Sequence, residues 1–127
     1  MSALRSRAAG IVLAILGASA VGLGAFGAHA LRGTLSPMQM EIWHTAVQYH
    51  FWHTLAFAVA AKMPARGWPA RSATWLLGVG VVLFCGSLYA LALGAPAWTG
   101  AITPFGGVCF ILGWIALGIA FVRRADP

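Results

Sequence analysis

Carboxylates are almost missing from this sequence. Glu41 and Asp126 are the only acids, against eight Lys and Arg, for a formal net charge of +6. They fall far apart on the chain, which excludes the paired carboxylates of general acid–base catalysis. Charge of either sign is scarce as well: 8% of the 127 residues, where a small soluble domain needs roughly 25% to cover its surface. A water-soluble monomer is therefore excluded. Cysteine is limited to Cys85 and Cys109; both sit inside apolar runs without a CxxC spacing, which excludes a disulfide framework and leaves buried free thiols. A GxSxG elbow, an HExxH motif and a phosphate-binding Gly-rich loop are all missing, so the sequence predicts no enzyme and no metal site. What is present is 61% hydrophobic residues and 16 glycines, with a mean hydropathy of +0.85. Such a chain belongs in lipid.

Four segments are apolar enough to cross a hydrocarbon core about 30 Å thick, which takes around 20 helical residues. They are Ala8–Leu31, then a helix from Pro37 to Ala61 whose apolar part starts at Ile42, then Ser72–Leu93 and Pro104–Val122. The ten-residue alternation of barrel strands is not visible, so the fold class is an all-α integral membrane protein, one domain over 1–127 with four transmembrane helices in a bundle. Arg5, Arg7, Lys62, Arg66, Arg71, Arg123 and Arg124 fall on one side, with only Arg32 on the other. By the positive-inside rule both termini are cytoplasmic, in a cell inner (plasma) membrane. The basic residues therefore read as topology signals, and nucleic acid is not an expected partner. Trp68 and Trp98 are placed in connections as interfacial anchors. Arg5, Arg7 and Ala18-Ser19-Ala20 also resemble a cleavable signal peptide, but the apolar run continues to Leu31, which favours a retained helix.

Local signals define helix ends. Ser36-Pro37-Met38-Gln39 reads as an N-cap with Pro at N1 and a capping-box Gln, and Thr103-Pro104 as the same device. Small residues at helical spacing predict close packing: Gly10, Ala14, Ala18 and Gly22 on the first helix, Gly86, Ala90 and Gly94 on the third, and Gly106, Gly107, Gly113 and Gly118 on the fourth. These stripes place the first helix at the centre of the bundle and also suit a homo-oligomer face. The expected partners are the lipid bilayer and, beyond it, a second copy or other membrane proteins.

Polar side chains inside apolar spans are functional candidates. The second helix holds Glu41, His44, Gln48, Tyr49, His50, His53 and Thr54. Glu41, His44 and Gln48 share one face, while His50 and His53 share another, so the histidines do not converge into a metal site. With His29, Ser87, Tyr89 and Thr103, these residues predict a polar layer toward the outer side. Three uses compete for it: hydrogen bonds that fix the bundle's register, a binding cavity for a proton, ion, lipid headgroup or quinone-like molecule, and haem ligation by paired imidazoles. Only His29 stands on a helix facing the others, which disfavours haem; no cofactor is expected.

The run Gly24-Ala25-Phe26-Gly27-Ala28-His29-Ala30-Leu31, then Trp43 to Ala46 with Tyr49 and His53, Gly86-Ser87-Leu88-Tyr89, Thr103-Pro104-Phe105-Gly106-Gly107 and Gly113-Trp114 resembles the YgdD/YwdK-like family of small inner-membrane proteins. That family is known as domain of unknown function 423 and has small mitochondrial relatives in animals. The resemblance implies a four-span inner-membrane protein with a retained first helix and carries no activity with it. Its motif positions coincide with His29, Tyr49, His53, Tyr89 and Thr103; His44 and His50 complete the candidate set. The expectation is a non-enzymatic accessory or scaffold component, with a small-ligand or proton-pathway protein using the His/Tyr layer as the alternative.

Overall fold

The computed structural model describes residues 2–64 and 67–125. Arg66 and Asp126, which contribute to the charge pattern, lie outside them. Among the described residues every regular element is helical: α1 (Ser2–His29), α2 (Pro37–Lys62), α3 (Trp68–Gly80), a π-helical turn (Val81–Cys85), α4 (Gly86–Ala92), a 3-10 turn (Ala97–Ala101) and α5 (Thr103–Ala125). Three helical stretches are long and apolar enough to cross a membrane: Ala3–His29, Trp68–Ala92 and Ala97–Ala125. Helix α2 is equally long but carries the polar side chains.

The capping box at α2 forms as the sequence predicts. Ser36 Oγ accepts from the Gln39 N–H at 3.1 Å, and the Gln39 side chain accepts from the Ser36 N–H at 2.8 Å, satisfying two donors that the first turn leaves unpaired. Pro69 begins α3 earlier than expected, so Trp68 opens that helix instead of lying in the connection, with the Arg123 guanidinium over its ring. The expected third-helix triad of Gly86, Ala90 and Gly94 does not pack: Gly94 takes φ +97° and ends the helix, with the Ala95 N–H bonding the Ala90 carbonyl, while a side chain at Gly86 would meet open space.

The arrangement also corrects the position of α1. That helix packs almost solely on α2, and only Leu16, Ala20 and Gly27 along it are buried. Gly10 and Gly22 face nothing within 4 Å. The central element is α2, which touches α1, α3, the π turn and α4. The physical reason is that buried polar groups need partners more than glycines need neighbours, so the polar helix takes the protected place.

Close backbone contact belongs to α3 and α5. Added side-chain carbons at Gly80 and Gly113 would meet Phe110 and Leu77, and one at Gly106 would meet the backbone of Phe84 within the π turn. An extra residue in a π turn rotates the helix downstream of it by about 100°. Accordingly α3 packs mainly on α5, whereas α4 packs on α2. Tyr89 is thereby brought to the central helix.

Candidate functional site

Two polar clusters on α2 hold the helices together. In the first, the imidazole of His50 lies between α1 and α4. Ser19 Oγ–H donates to the Leu16 carbonyl at 3.1 Å, so its lone pairs face His50 Nε2 at 3.2 Å. That nitrogen is the N–H donor, and Nδ1 accepts from the Tyr89 hydroxyl at 2.9 Å. Thr54 Oγ1 donates to the His50 carbonyl at 2.7 Å. The chain Tyr89–His50–Ser19 thus spans three helices and ends on a backbone carbonyl. Ser19 lies roughly 15 Å along α1 from His29, and His50 roughly 20 Å from either end of α2. The cluster sits deep in the bundle, not at its outer rim.

The second cluster joins α2 to α5. An indole N–H only donates, so Trp114 Nε1, 3.1 Å from His53 Nε2, makes that nitrogen an acceptor. The Nδ1–H of His53 then donates to the Tyr49 carbonyl at 2.7 Å. The ring stacks on Phe110 with centroids 3.6 Å apart and on Tyr49 at 5.5 Å. Both imidazole nitrogens are used, and their partners call for the neutral form. A groove of about 610 Å³ between α2 and α5, lined by Tyr49, Trp52, Trp114, Leu117 and Phe121, has His53 at its floor. It offers aromatic faces but no spare hydrogen-bonding nitrogen from His53.

A third link is reached from Trp43, buried between α1 and α4. Its Nε1–H donates to the Leu23 carbonyl at 3.0 Å, and its ring lies 4.7 Å from that of Tyr89. Gly27 makes this possible, because a side chain there would overlap the indole. At the α4–α5 junction Ser87 Oγ donates to the Phe84 carbonyl and accepts from Thr103. The Thr103 hydroxyl therefore serves a neighbouring helix and not its own N-terminus, which corrects the cap expected at Thr103-Pro104.

Of the seven candidate residues, His50 and Tyr89 are bonded to each other, Tyr49 and His53 are joined through carbonyl and ring, and Thr103 pairs elsewhere. His29 and His44 are exposed and bonded to no described side chain. Among the described residues no three His, Cys, Asp or Glu groups stand close enough to hold a metal ion. Ser19, Trp43 and Trp114 are participants that sequence reasoning missed. The usable signal for the tryptophans was an indole N–H inside an apolar span, which needs an acceptor.

The family described as "Protein of unknown function (DUF423)" matches residues 23–107. The chain belongs to the DUF423 family. The match contains most of the α1–α2–α4 network but stops short of Trp114. The chain is similar to the UPF0382 membrane protein YwdK of Bacillus subtilis, 47% identical over 120 residues covering 88% of this chain and 97% of the relative. It is also similar to the UPF0382 membrane protein SERP0230 of Staphylococcus epidermidis, 47% identical over 117 residues covering 91% and 96%. In Staphylococcus aureus, the UPF0382 membrane protein SAB0533 is 42% identical over 117 residues covering 91% and 96%. No solved structure matches the chain. This DUF423 member is thus a membrane protein, all-helical among its described residues, from a family named for no activity.

Proposed function

We propose that this DUF423 protein is a non-enzymatic accessory or scaffold component of the inner (plasma) membrane, spanning it four times with both termini cytoplasmic. One observation carries the reading: among the described residues, no buried side-chain nitrogen or oxygen lacks a hydrogen-bond partner within the protein. A binding or transport site would hold polar valences in reserve for its ligand. Here they are spent within helices and between them. The fourth span is α2, whose buried His50, His53 and Thr54 turn toward other helices while Phe51, Trp52, Leu55 and Val59 are exposed as a lipid-facing surface. The basic residues at the chain's N-terminus, the α2–α3 connection and the end of α5 support the orientation.

The second reading, a proton or small-ligand pathway, is favoured by the continuous Tyr89–His50–Ser19 chain. Its end on the Leu16 carbonyl, with no carboxylate at either terminus, speaks for a structural link. Replacement of His50, the middle of that chain, by Gln in detergent-purified protein separates the two. The scaffold role expects a loss of thermal stability of similar size from about pH 5 to 8, the range in which an ordinary histidine titrates. Unchanged unfolding accompanied by a changed proton- or ligand-linked signal would establish the pathway instead.

A further inference from the structure

Away from the polar clusters, α1 and α3 line the two sides of a trough to which α2 and its C-cap contribute Phe57, Ala60, Ala61 and Met63. Two cavities of about 540 and 420 Å³ open along it and share Arg5, Ala9, Thr74 and Trp75. The deeper stretch is walled by Val12, Leu16, Phe57, Gly78, Val79 and Leu83, all apolar. The other stretch ends at Arg5 and Arg71, with Ser6 and Thr74 beside them. Among the described residues no carboxylate lines either cavity, and Thr74 Oγ1 donates back to the Ala70 carbonyl at 2.8 Å. Polarity thus changes from cationic to apolar along a single trough. From Arg5 to Leu16 it runs roughly 16 Å at 1.5 Å per residue, about half of a 30 Å hydrocarbon core and therefore the depth of one leaflet.

We propose that this trough binds one anionic phospholipid, with its phosphate between Arg5 and Arg71 and an acyl chain lying against Val12, Phe57 and Val79. The choice of occupant rests on charge and shape. Two guanidiniums with no acid among the described residues that line the trough favour a phosphodiester, which they engage through paired N–H donors. An apolar trough one leaflet long favours a chain attached to that phosphate over a free ion. A lipid there also fills the gap beside α1, the helix with the fewest protein neighbours. The inference is independent of the scaffold reading, because the residues that would hold the lipid, Arg5, Arg71, Val12, Phe57 and Val79, make none of the hydrogen bonds of the His/Tyr clusters.

Native mass spectrometry of the detergent-released protein, titrated with phosphatidylglycerol or phosphatidylcholine of identical chains, tests it. The expected result is one retained phosphatidylglycerol per chain, favoured over phosphatidylcholine by roughly thirtyfold, the scale of two arginines at an anionic interface. Arg5→Gln with Arg71→Gln removes the preference. Arg123→Gln with Arg124→Gln, an equal loss of charge at the end of α5, keeps it. Val12→Phe, which narrows the trough without altering charge, weakens retention of both lipids, and circular dichroism shows each variant still helical. Equal retention of the two lipids, or equal losses in both arginine pairs, would overturn the proposal. Retention of inorganic phosphate as strongly as of the lipid would also overturn it, by making the arginines a site for the free ion.

Discussion

The α3–α5 and α1–α2 interfaces join helices by opposite means. Across α3–α5, Gly80, Gly106 and Gly113 bring the backbones close, and Leu77, Phe84 and Phe110 fill the remaining space. Across α1–α2 the contact relies on side chains that reach over: the Trp43 indole on the Leu23 carbonyl and His50 on Ser19. Helix α1 nevertheless has Gly10, Gly17, Gly22, Gly24 and Gly27, of which only Gly27 has its Cβ position filled by a bulky ring. The difference teaches that glycine content does not locate the tight crossing in a bundle. In lipid, dispersion contacts at close range and interhelical hydrogen bonds are separate sources of association, and this protein uses one at each interface.

The comparison breaks most readily at Gly106. An added methyl there meets the Phe84 backbone, which cannot rotate away as a side chain would, so Gly106→Ala should cost about 2–3 kcal/mol, the upper range of overpacking. Reversible unfolding in mixed micelles reads this directly; an unchanged midpoint would mean that α5 and the π turn that continues α3 are not in close contact. On the other interface, Trp43→Phe keeps an aromatic body but loses the bond to Leu23, an expected loss of about 0.6–1.7 kcal/mol. Gly22→Ala on the same helix pair should stay within about 0.5 kcal/mol, as for other unpacked surface sites. A larger penalty at Gly22 than at Trp43 would restore α1 to the centre of the bundle.

Much of the local structure was legible in the sequence because it depends on neighbours a few residues apart. The Ser36–Gln39 capping box is such a case, as is the separation of His44 from His50 and His53 around α2. The failures share a cause in long-range geometry. Thr103-Pro104 reads as a cap, yet the hydroxyl is captured by Ser87, sixteen residues earlier in the chain. The central place of α2 was hidden because small-residue spacing shows which faces permit close approach, but not which helix claims them. The π turn at Val81–Cys85 has no marker in composition, and without it the meeting of Tyr89 with His50 is not apparent. For the candidate site, residue types were legible and partners were not. His50 and Tyr89 were both singled out, while Ser19 was hidden in a small-residue run.

The buried histidines bind the helices to one another, and a double-mutant cycle on His50 and Tyr89 tests this most directly. His50→Leu, Tyr89→Phe and the double variant are unfolded reversibly in micelles beside the parent. The expected result is that each single change destabilises the protein and that the double loss is smaller than the sum by about 0.6–1.7 kcal/mol, the coupling of one interhelical hydrogen bond. Strictly additive effects, or single variants as stable as the parent, would contradict it.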